Sequence, residues 1–260
     1  MSIPVVIIGA LGRMGSTIVN LVRQDASFSL AGVVVLDFQK DEAAALGCPV
    51  ETDVNRLLER VGSVTIIDFT SPETSLAVAS AAVKHKCRHI IGTTGLTEDQ
   101  KEELVNFAYG TPVFWSPNMS VGVNVLLKIL PELTRLLGEQ YDVEMMEAHH
   151  NKKRDSPSGT ALRLAECLAA AKNLDLAETA CYHREGMIGE RPKNELGIQT
   201  LRGGDVVGDH TVYFFGPGER IEVKHQAHSR ENFAKGALRA AIWIQDKPAG
   251  KLFTMQDLLQ

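Results

Sequence analysis

The chain is poor in the features that mark membrane, secreted and metal-binding proteins. Its 260 residues contain no run of 18 apolar residues, so no segment is predicted to span a membrane. The start, MSIPVVIIGALGRMG, has no basic region before its apolar run, and we expect no signal peptide. The four cysteines are widely spaced and form neither a C-x-x-C pair nor a Cys/His zinc pattern. This spacing predicts reduced thiols, no metal site and a cytoplasmic protein.

An excess of positive charge is also missing. The formal net charge is −5, which gives the chain as a whole no attraction to nucleic acid or to an anionic membrane. We find no internal repeat and no low-complexity segment. Apolar residues make up 44% and charged residues 23%, which is typical of a globular protein with one large or two ordinary domains.

Short β-branched runs alternate with helical stretches up to about residue 120. This alternation predicts a Rossmann-like, doubly wound parallel sheet with helices on both faces. The predicted strands are 4–8, 30–36 (ending at Asp37), 64–69, 88–95 and 111–118, and the predicted helices are 15–24, 72–86 and one that starts near Thr97.

The pattern changes after residue 120, where strands with alternating polar and apolar residues are joined by glycine-rich turns. It predicts a second, α+β domain with a mixed open sheet over 121–229, while 1–120 and 230–260 form the dinucleotide-binding domain. The predicted elements here are a helix over 120–137 with a kink at Pro131, strands at 141–148, 179–184, 210–215 and 220–227, a helix after Ser158, and a final helix over 231–247 that returns to the first domain.

The segment Gly9-Ala10-Leu11-Gly12-Arg13-Met14-Gly15 follows a predicted strand and opens a helix. Its glycines allow a tight turn, approach of the backbone to a pyrophosphate, and close packing of helix and strand. Asp37 ends the second strand, where a carboxylate can accept the ribose hydroxyls of an adenosine. A nicotinamide cofactor is the favoured ligand; FAD and S-adenosylmethionine use similar loops, and an ordinary strand–helix turn is the simplest alternative.

Two cations bear on the choice between NAD and NADP. Arg13 lies inside the glycine loop and can reach a phosphate, while Lys40 can offset the repulsion between Asp37 and a 2′-phosphate. Either NADH or NADPH can be the cofactor, and NADH is favoured.

The stretch EAHHNKKRDSPSGTA, residues 147–161, concentrates positive charge beside a helix start. Ser158 is a natural N-cap, and the N–H groups of the first turn, with Lys153, can hold a carboxylate. One of the two adjacent histidines can deliver a proton near neutral pH. The alternative is a solvated basic loop with a structural cap; metal binding is disfavoured because adjacent histidines do not converge on one ion.

A dinucleotide domain combined with an anion-binding proton donor suggests hydride transfer to a small electrophile that carries a carboxylate, in a crevice between the domains. Two rivals share some of these features. An amino-acid dehydrogenase would need the glycine loop but not the HHxxK…PSGT run. A redox-sensing or nucleic-acid-binding module would rest on HHNKKR alone, without a recognition motif.

Segments spread over nearly the whole chain resemble, in order, those of the bacterial dihydrodipicolinate reductases. They are GALGRMG, IDFTSPE, IIGTTGL, SPNMSVGVN, EAHHNKKRDSPSGTA, RGGDVVGDHTV and HQAHSRENFAKGA, with LFTMQDLL near the end. The run EAHHxxKxDxPSGTA is highly specific, and the glycine loop is not. The resemblance implies reduction of 4-hydroxy-tetrahydrodipicolinate or dihydrodipicolinate to tetrahydrodipicolinate by NADH or NADPH, on the diaminopimelate route to lysine, by a homotetramer assembled through the sheet of the central domain.

The resemblance also implies roles by position. His149 matches the general acid of the family, and Lys153 the lysine that assists it and binds a substrate carboxylate. Positions that match substrate contacts are His150, Ser158, Gly159, Thr160 and Thr94; positions that match the dinucleotide site are Gly9, Leu11, Gly12, Arg13, Met14, Gly15, Asp37, Gly92, Thr93, Thr94, Ser116, Pro117, Asn118 and Met119.

Two positions depart from the family pattern. Phe38 stands where many members carry a basic residue after the ribose-binding acid, which favours NADH over NADPH. Met119 stands where some members have an aromatic residue, which predicts different packing of the nicotinamide.

Overall fold

The computed structural model describes residues 2–260, which fall into two compact units. Unit 1 runs up to Val121 and resumes at Arg230–Gln260, and unit 2 is Gly122–Ser229. None of the helices in this described range has the length and apolar character needed to cross a bilayer.

The strands are numbered along the chain. They are β1 Ile3–Ile8, β2 Phe28–Val34, β3 Val50–Glu51, β4 Thr65–Asp68, β5 Arg88–Ile91, β6 Val113–Trp115, β7 Asp142–His149, β8 Ala180–Cys181, β9 Leu196–Arg202, β10 Gly208–Gly216, β11 Glu219–Ala227 and β12 Leu252–Phe253.

The α-helices are numbered in the same way, and three short 3₁₀ segments lie at Asp37–Gln39, Gly138–Gln140 and Ile244–Asp246. The helices are α1 Arg13–Gln24, α2 Lys40–Ala44, α3 Val54–Val61, α4 Pro72–His85, α5 Glu98–Ala108, α6 Val121–Leu137, α7 Gly159–Ala171, α8 Leu176–Thr179, α9 Glu231–Trp243 and α10 Met255–Leu258.

Unit 1 is built on a parallel sheet with the order β3-β2-β1-β4-β5-β6-β12. The chain reverses direction across the sheet between β1 and β4, which is the point where such sheets bind nucleotides at the carboxyl ends of their strands. The central strands are buried on both faces, as their β-branched composition predicts. Side chains of Asp53, Ser71 and Thr97 cap helices α3, α4 and α5.

Helix α9 packs against α1 within unit 1. A Cβ atom at Gly236 of α9 would overlap the carbonyl oxygen of Met119, so a glycine is needed where this helix meets the end of the first stretch of unit 1. The predicted final helix is confirmed, although its last residues, from Ile244, form a 3₁₀ turn.

Unit 2 is built on a mixed sheet with the order β11-β10-β7-β9-β8. Strands β11, β10 and β7 pair antiparallel, and β7, β9 and β8 pair parallel. Helices α6 and α7 contribute apolar side chains to a core that covers one face, including Leu130, Leu164 and Leu168. The two sheets confirm the predicted fold class.

Several predicted boundaries were wrong. The second strand ends at Val34, so Asp37 does not close it but opens a 3₁₀ turn. The strand expected over 179–184 is reduced to Ala180–Cys181, and the one expected over 111–118 to Val113–Trp115. Strands β3, β9 and β12 and helices α2, α3, α8 and α10 were not predicted. The helix predicted over 120–137 is confirmed as α6, with Pro131 inside it.

Candidate active site

The glycine loop of unit 1 lies between β1 and α1. Gly9 has a φ of +68°, a conformation that L side chains rarely adopt. A Cβ atom at Gly15 would overlap the carbonyl oxygen of Gly9, so the close approach of α1 to β1 depends on this glycine. Gly12 is the N-cap residue of α1, and no side chain of the described residues caps this helix end. The N–H groups of the first turn, from Arg13 and Met14, are therefore suited to an anion.

Asp37 lies close to the same edge of the sheet, three residues beyond the end of β2. Its side chain is 90% exposed, and its Oδ1 atom lies 3.4 Å from Nζ of Lys40. Phe38, which follows it, is 81% exposed. An acid, a lysine and an aromatic ring are thus presented together on the surface near the glycine loop.

The ends of β4 and β5 are joined by a buried polar network around Asp68. Its carboxylate accepts hydrogen bonds from Oγ of Ser75 (2.6 Å) and from the N–H (2.9 Å) and hydroxyl (2.5 Å) of Thr70. The hydroxyl of Thr93 accepts the N–H of Thr70 at 3.0 Å and can donate to Oγ of Ser75, which lies 2.8 Å away. This network holds together the loops that follow two neighbouring strands.

The remaining predicted cofactor positions lie on loops after β5 and β6. Thr94 is exposed, whereas a Cβ atom at Gly92 would overlap the ring of Phe69, so packing alone requires that glycine. In the segment 116–119, the hydroxyl of Ser116 donates to the carbonyl of Asn118 (2.7 Å). Met119 is 1% exposed and belongs to the core of unit 1.

All these positions follow the carboxyl ends of parallel strands in one sheet. The structure therefore places the predicted dinucleotide residues along a single edge. The buried side chains of Thr93 and Met119 are engaged in unit 1 itself, while Arg13 and Asp37 are exposed there.

In unit 2, strand β7 brings its last acid and first histidine to the same face. Residues of β7 alternate between buried and half-buried, with Val143, Met145, Glu147 and His149 on the buried side. On this face, the apolar residues Val143 and Met145 are followed by the ionisable residues Glu147 and His149 at the end of the strand.

The Glu147 carboxylate is completely buried and fully surrounded by donors. Its Oε2 atom lies 2.5 Å from Nδ1 of His149, and Arg202 reaches both carboxylate oxygens at 2.9 Å. The N–H of Ser158 donates to Oε1 at 3.0 Å, and the hydroxyl of Thr200 donates to it at 3.3 Å. Glu147 therefore joins β7, β9 and the start of α7.

These donors decide the protonation state of Glu147. Burial of the carboxylate is the largest influence and acts to raise its pKa, but hydrogen bonds from His149, Arg202 and the Ser158 N–H outweigh it. Together they lower the pKa of Glu147 to about 2. The residue is an anion throughout the physiological pH range.

A second buried histidine lies beside the first. The ring of His210, from β10, meets the ring of His149 edge to face at 5.2 Å between centroids. Nε2 of His210 lies 3.2 Å from the hydroxyl of Ser158. Burial, aided by repulsion from His149, lowers the pKa of His210 to about 4, so this ring is neutral at neutral pH.

The basic loop between β7 and α7 is hydrogen-bonded to the connection between β9 and β10. The N–H of His150 donates to the carbonyl of Val206, and the N–H of Lys153 donates to the carbonyl of His150. Nζ of Lys153 lies 2.9 Å from Oδ1 of Asp155, and the lysine side chain is 21% exposed. Lys153 is therefore held in place by an ion pair next to the start of α7.

The predicted N-cap is confirmed, because the hydroxyl of Ser158 accepts the N–H of Ala161 at 3.1 Å. Some N–H groups at this helix end, where a carboxylate is expected to bind, already have acceptors within unit 2. Glu147 takes the N–H of Ser158, and the N–H of Gly159 helps to stabilise the carboxylate of Asp155. An external carboxylate would share this helix end with two internal ones.

Comparison with known proteins agrees with these observations. The family model described as dihydrodipicolinate reductase, N-terminus, matches residues 3–119, and the model for the C-terminus matches residues 122–259. The chain belongs to the dihydrodipicolinate reductase family.

Curated relatives extend over the full chain. A 4-hydroxy-tetrahydrodipicolinate reductase of Oleidesulfovibrio alaskensis is 61% identical over 259 residues, covering 100% of both chains. One from Nitratidesulfovibrio vulgaris is 58% identical, covering 99% of this chain and 100% of its own. The fold matches that of a dipicolinate-bound dihydrodipicolinate reductase from Paenisporosarcina, with a TM-score of 0.79 and 22% identity over 100% of both chains.

Sequence reasoning missed three residues around His149 in this member of the reductase family. Arg202 and His210 lie more than 50 positions from their partners, so no local pattern indicates them. Glu147 did leave a signal: in the alternating strand DVEMMEAH it falls on the apolar, inward face. An acid on that face must have donors nearby.

Proposed function

We propose that the chain catalyses the NADH- or NADPH-dependent reduction of 4-hydroxy-tetrahydrodipicolinate, or dihydrodipicolinate, to tetrahydrodipicolinate. The product serves the diaminopimelate route to lysine. The observation that carries this proposal is the match to a reductase of this name at 61% identity over 259 residues, which covers 100% of both chains. The arrangement of residues in each unit supports it.

Unit 1 is suited to the dinucleotide. The uncapped start of α1 and the glycines of its loop offer backbone N–H groups and space for a pyrophosphate, and Arg13 adds an exposed positive charge. Ser116 and Asn118, at the end of β6, face the same edge of the sheet as the glycine loop. These residues would hold the cofactor, which supplies the hydride.

The surroundings of Asp37 favour NADH over NADPH. A carboxylate can accept both ribose hydroxyls, but it repels a 2′-phosphate. Lys40 is paired with Asp37 and offsets this repulsion in part, while the neighbouring position is occupied by Phe38 rather than by a cation. One lysine in an exposed ion pair leaves room for NADPH as a weaker cofactor.

Unit 2 is suited to a small dicarboxylate and to proton delivery. His149 lies at the end of β7, and Lys153 lies in the loop that leads from it to α7. We assign substrate carboxylate binding to Lys153 and to the start of α7, with His150, Ser158, Gly159, Thr160 and Thr94 as further contacts implied by the family.

The reduced substrate needs a proton because the hydride adds to a conjugated system and leaves a negative charge on it. Addition of a hydride to the end of a conjugated C=C–C=N system pushes an electron pair toward the nitrogen and leaves an enamine-like anion. A proton from His149 quenches this charge, and such general acid catalysis contributes about 10²–10⁴-fold to the rate. Positive charge from Lys153 stabilises the developing anion.

We further propose that the enzyme acts in the cytoplasm as a homotetramer assembled through the sheet of unit 2, as the family resemblance implies. The four cysteines of the chain, all within the described range, are free thiols, which suits a reducing compartment.

The decisive experiment generates the substrate in place. The condensation product of pyruvate and aspartate semialdehyde is supplied to the protein, and oxidation of NADH or NADPH is followed by absorbance. We expect turnover with both cofactors and a higher kcat/KM with NADH. His149→Gln should lower kcat by about 10²-fold or more while NADH binding stays nearly intact. If the protein oxidises NADH with amino or keto acids but not with this substrate, the proposal is wrong.

A further inference from the structure

The carboxylate that touches His149 has no role assigned to it by the family resemblance. Glu147 is fully buried and remains anionic, held by Arg202, Thr200 and the start of α7. An anionic carboxylate can only accept hydrogen bonds. At 2.5 Å from Nδ1, it requires that this nitrogen of His149 carries a proton.

The consequence concerns the other ring nitrogen. If Nδ1 always carries a proton, the neutral ring of His149 has a lone pair on Nε2, and the charged ring has its exchangeable proton there. A Cβ atom at position 208 would lie 3.0 Å from Nε2. Because residue 208 is a glycine, this edge of the imidazole ring is not covered by a side chain from that position. The proton that the ring can transfer is therefore the one on Nε2, at this uncovered edge.

We propose that Glu147 is a positioning residue for the reaction: it fixes one proton of His149 on Nδ1, and so makes Nε2–H the group that protonates the reduced substrate. This inference rests on the proposed role of His149 as the general acid. Glu147 itself does not touch the reacting atoms.

Other charged and titratable groups around His149 do not replace Glu147 in this role. Arg202, on β9, carries the opposite sign and neutralises Glu147, so its charge opposes the imidazolium. His210, on β10, is neutral near pH 7, and His225 on β11 lies beyond it, with 6.5 Å between their ring centroids. In the loop after β7, Lys153 is paired with Asp155.

The main test is the pH dependence of kcat in Glu147→Gln at saturating NADH. An acid catalyst is active while protonated, so kcat falls as pH rises through its titration. The fall of kcat at high pH is the alkaline limb of the profile. Glu147→Gln removes the negative charge beside His149 and leaves the positive charge of Arg202, so this limb should move to lower pH by about 1–3 units. At pH 8, kcat should fall by about 10–10²-fold, with the dissociation constant of NADH changed less than twofold.

Glu144→Gln is a matched control. Glu144 lies on the same strand but on the opposite face, and it is likewise held by arginines, Arg184 and Arg191. This variant should leave the alkaline limb of kcat in place. If Glu147→Gln also leaves it in place, or if Glu144→Gln moves it equally, Glu147 has no specific role.

A second readout does not depend on turnover. Nitrogen-15 NMR of labelled histidine, with His149 assigned by the signal lost in His149→Gln, should show the neutral ring protonated on Nδ1 in the unmodified protein. In Glu147→Gln the proton should shift toward Nε2. A ring protonated on Nε2 in the unmodified protein overturns the inference even if Glu147→Gln does not fold.

The inference and the proposed function can fail separately. If His149→Gln loses turnover but Glu147→Gln leaves the alkaline limb in place, His149 remains the acid and Glu147 has no part in the mechanism. Full turnover in His149→Gln overturns the acid role, and with it the catalytic meaning of Glu147. Glu147→Asp keeps the charge but withdraws it from Nδ1, and it should shift the limb in the same direction by a smaller amount.

Discussion

The carbonyl oxygen of Gly9 occupies the position that a Cβ atom at Gly15 would take. The loop that connects β1 to α1 therefore depends on a glycine at its end for packing, independently of any ligand. A glycine at this position also brings the start of the helix close to the edge of the sheet, where its N–H groups can serve an anion.

Replacing Gly15 with alanine should lower the free energy of unfolding by about 2 kcal/mol or more, because backbone atoms would have to move to admit the methyl group. Urea unfolding followed by circular dichroism measures this. Gly203→Ala is the control, since within the described chain nothing lies within 4 Å of a Cβ built there. Its effect should stay below about 0.5 kcal/mol, and equal losses in the two variants would contradict the packing argument.

Lys153→Ala should impair catalysis and substrate binding together. Loss of one charge-assisted hydrogen bond costs about 1.5–3 kcal/mol, so kcat/KM for the substrate should fall by about 10–10²-fold. The neighbouring Lys152 is exposed, and Lys152→Ala should retain nearly full activity. Initial-rate kinetics with both substrates varied separates the effects. A variant at 153 that loses NADH affinity instead would place this lysine at the cofactor.

Asp37→Ala should weaken NADH more than NADPH, because it removes an acceptor for the ribose hydroxyls and also the repulsion of a 2′-phosphate. The dissociation constant of NADH should rise about tenfold, which corresponds to the loss of a hydrogen bond to a charged group. Asp41→Ala, at an exposed acid in the first turn of α2, is the control. Cofactor fluorescence titration gives both constants, and equal losses for the two cofactors would argue against a ribose contact.

His210 should make the folded protein less stable as the pH falls from about 6.5 to 4. Its pKa is lowered to about 4 by burial, whereas an unfolded histidine titrates near 6.5, so protons bind the unfolded chain first. Between pH 7 and pH 5 this linkage costs about 2 kcal/mol. Between pH 7 and pH 5, the free energy of unfolding should therefore fall by about 2 kcal/mol less in His210→Gln than in the unmodified protein. An identical pH dependence in the two proteins would show that the ring is not buried in its neutral form.

Local patterns were sufficient for a large part of the fold. The β-branched run of β1, the glycine loop and helix α1 follow one another in the chain, and each depends on local backbone geometry. The cap at Ser158 and the alternation along β7 were readable for this reason. The short strands β3 and β12 were not, because two residues carry no period.

The surroundings of His149 could not be read in this way. The strand, the adjacent basic loop and the helix start at Ser158 are contiguous in the chain, so the sequence by itself determined that an imidazole, a lysine and a capped helix would be neighbours. The pairing of β9 and β10 with β7 determines which side chains of other strands lie beside the imidazole. Sheet register brings Arg202 opposite His149 and His210 opposite Glu147, and such pairing depends on the whole sheet rather than on any local segment.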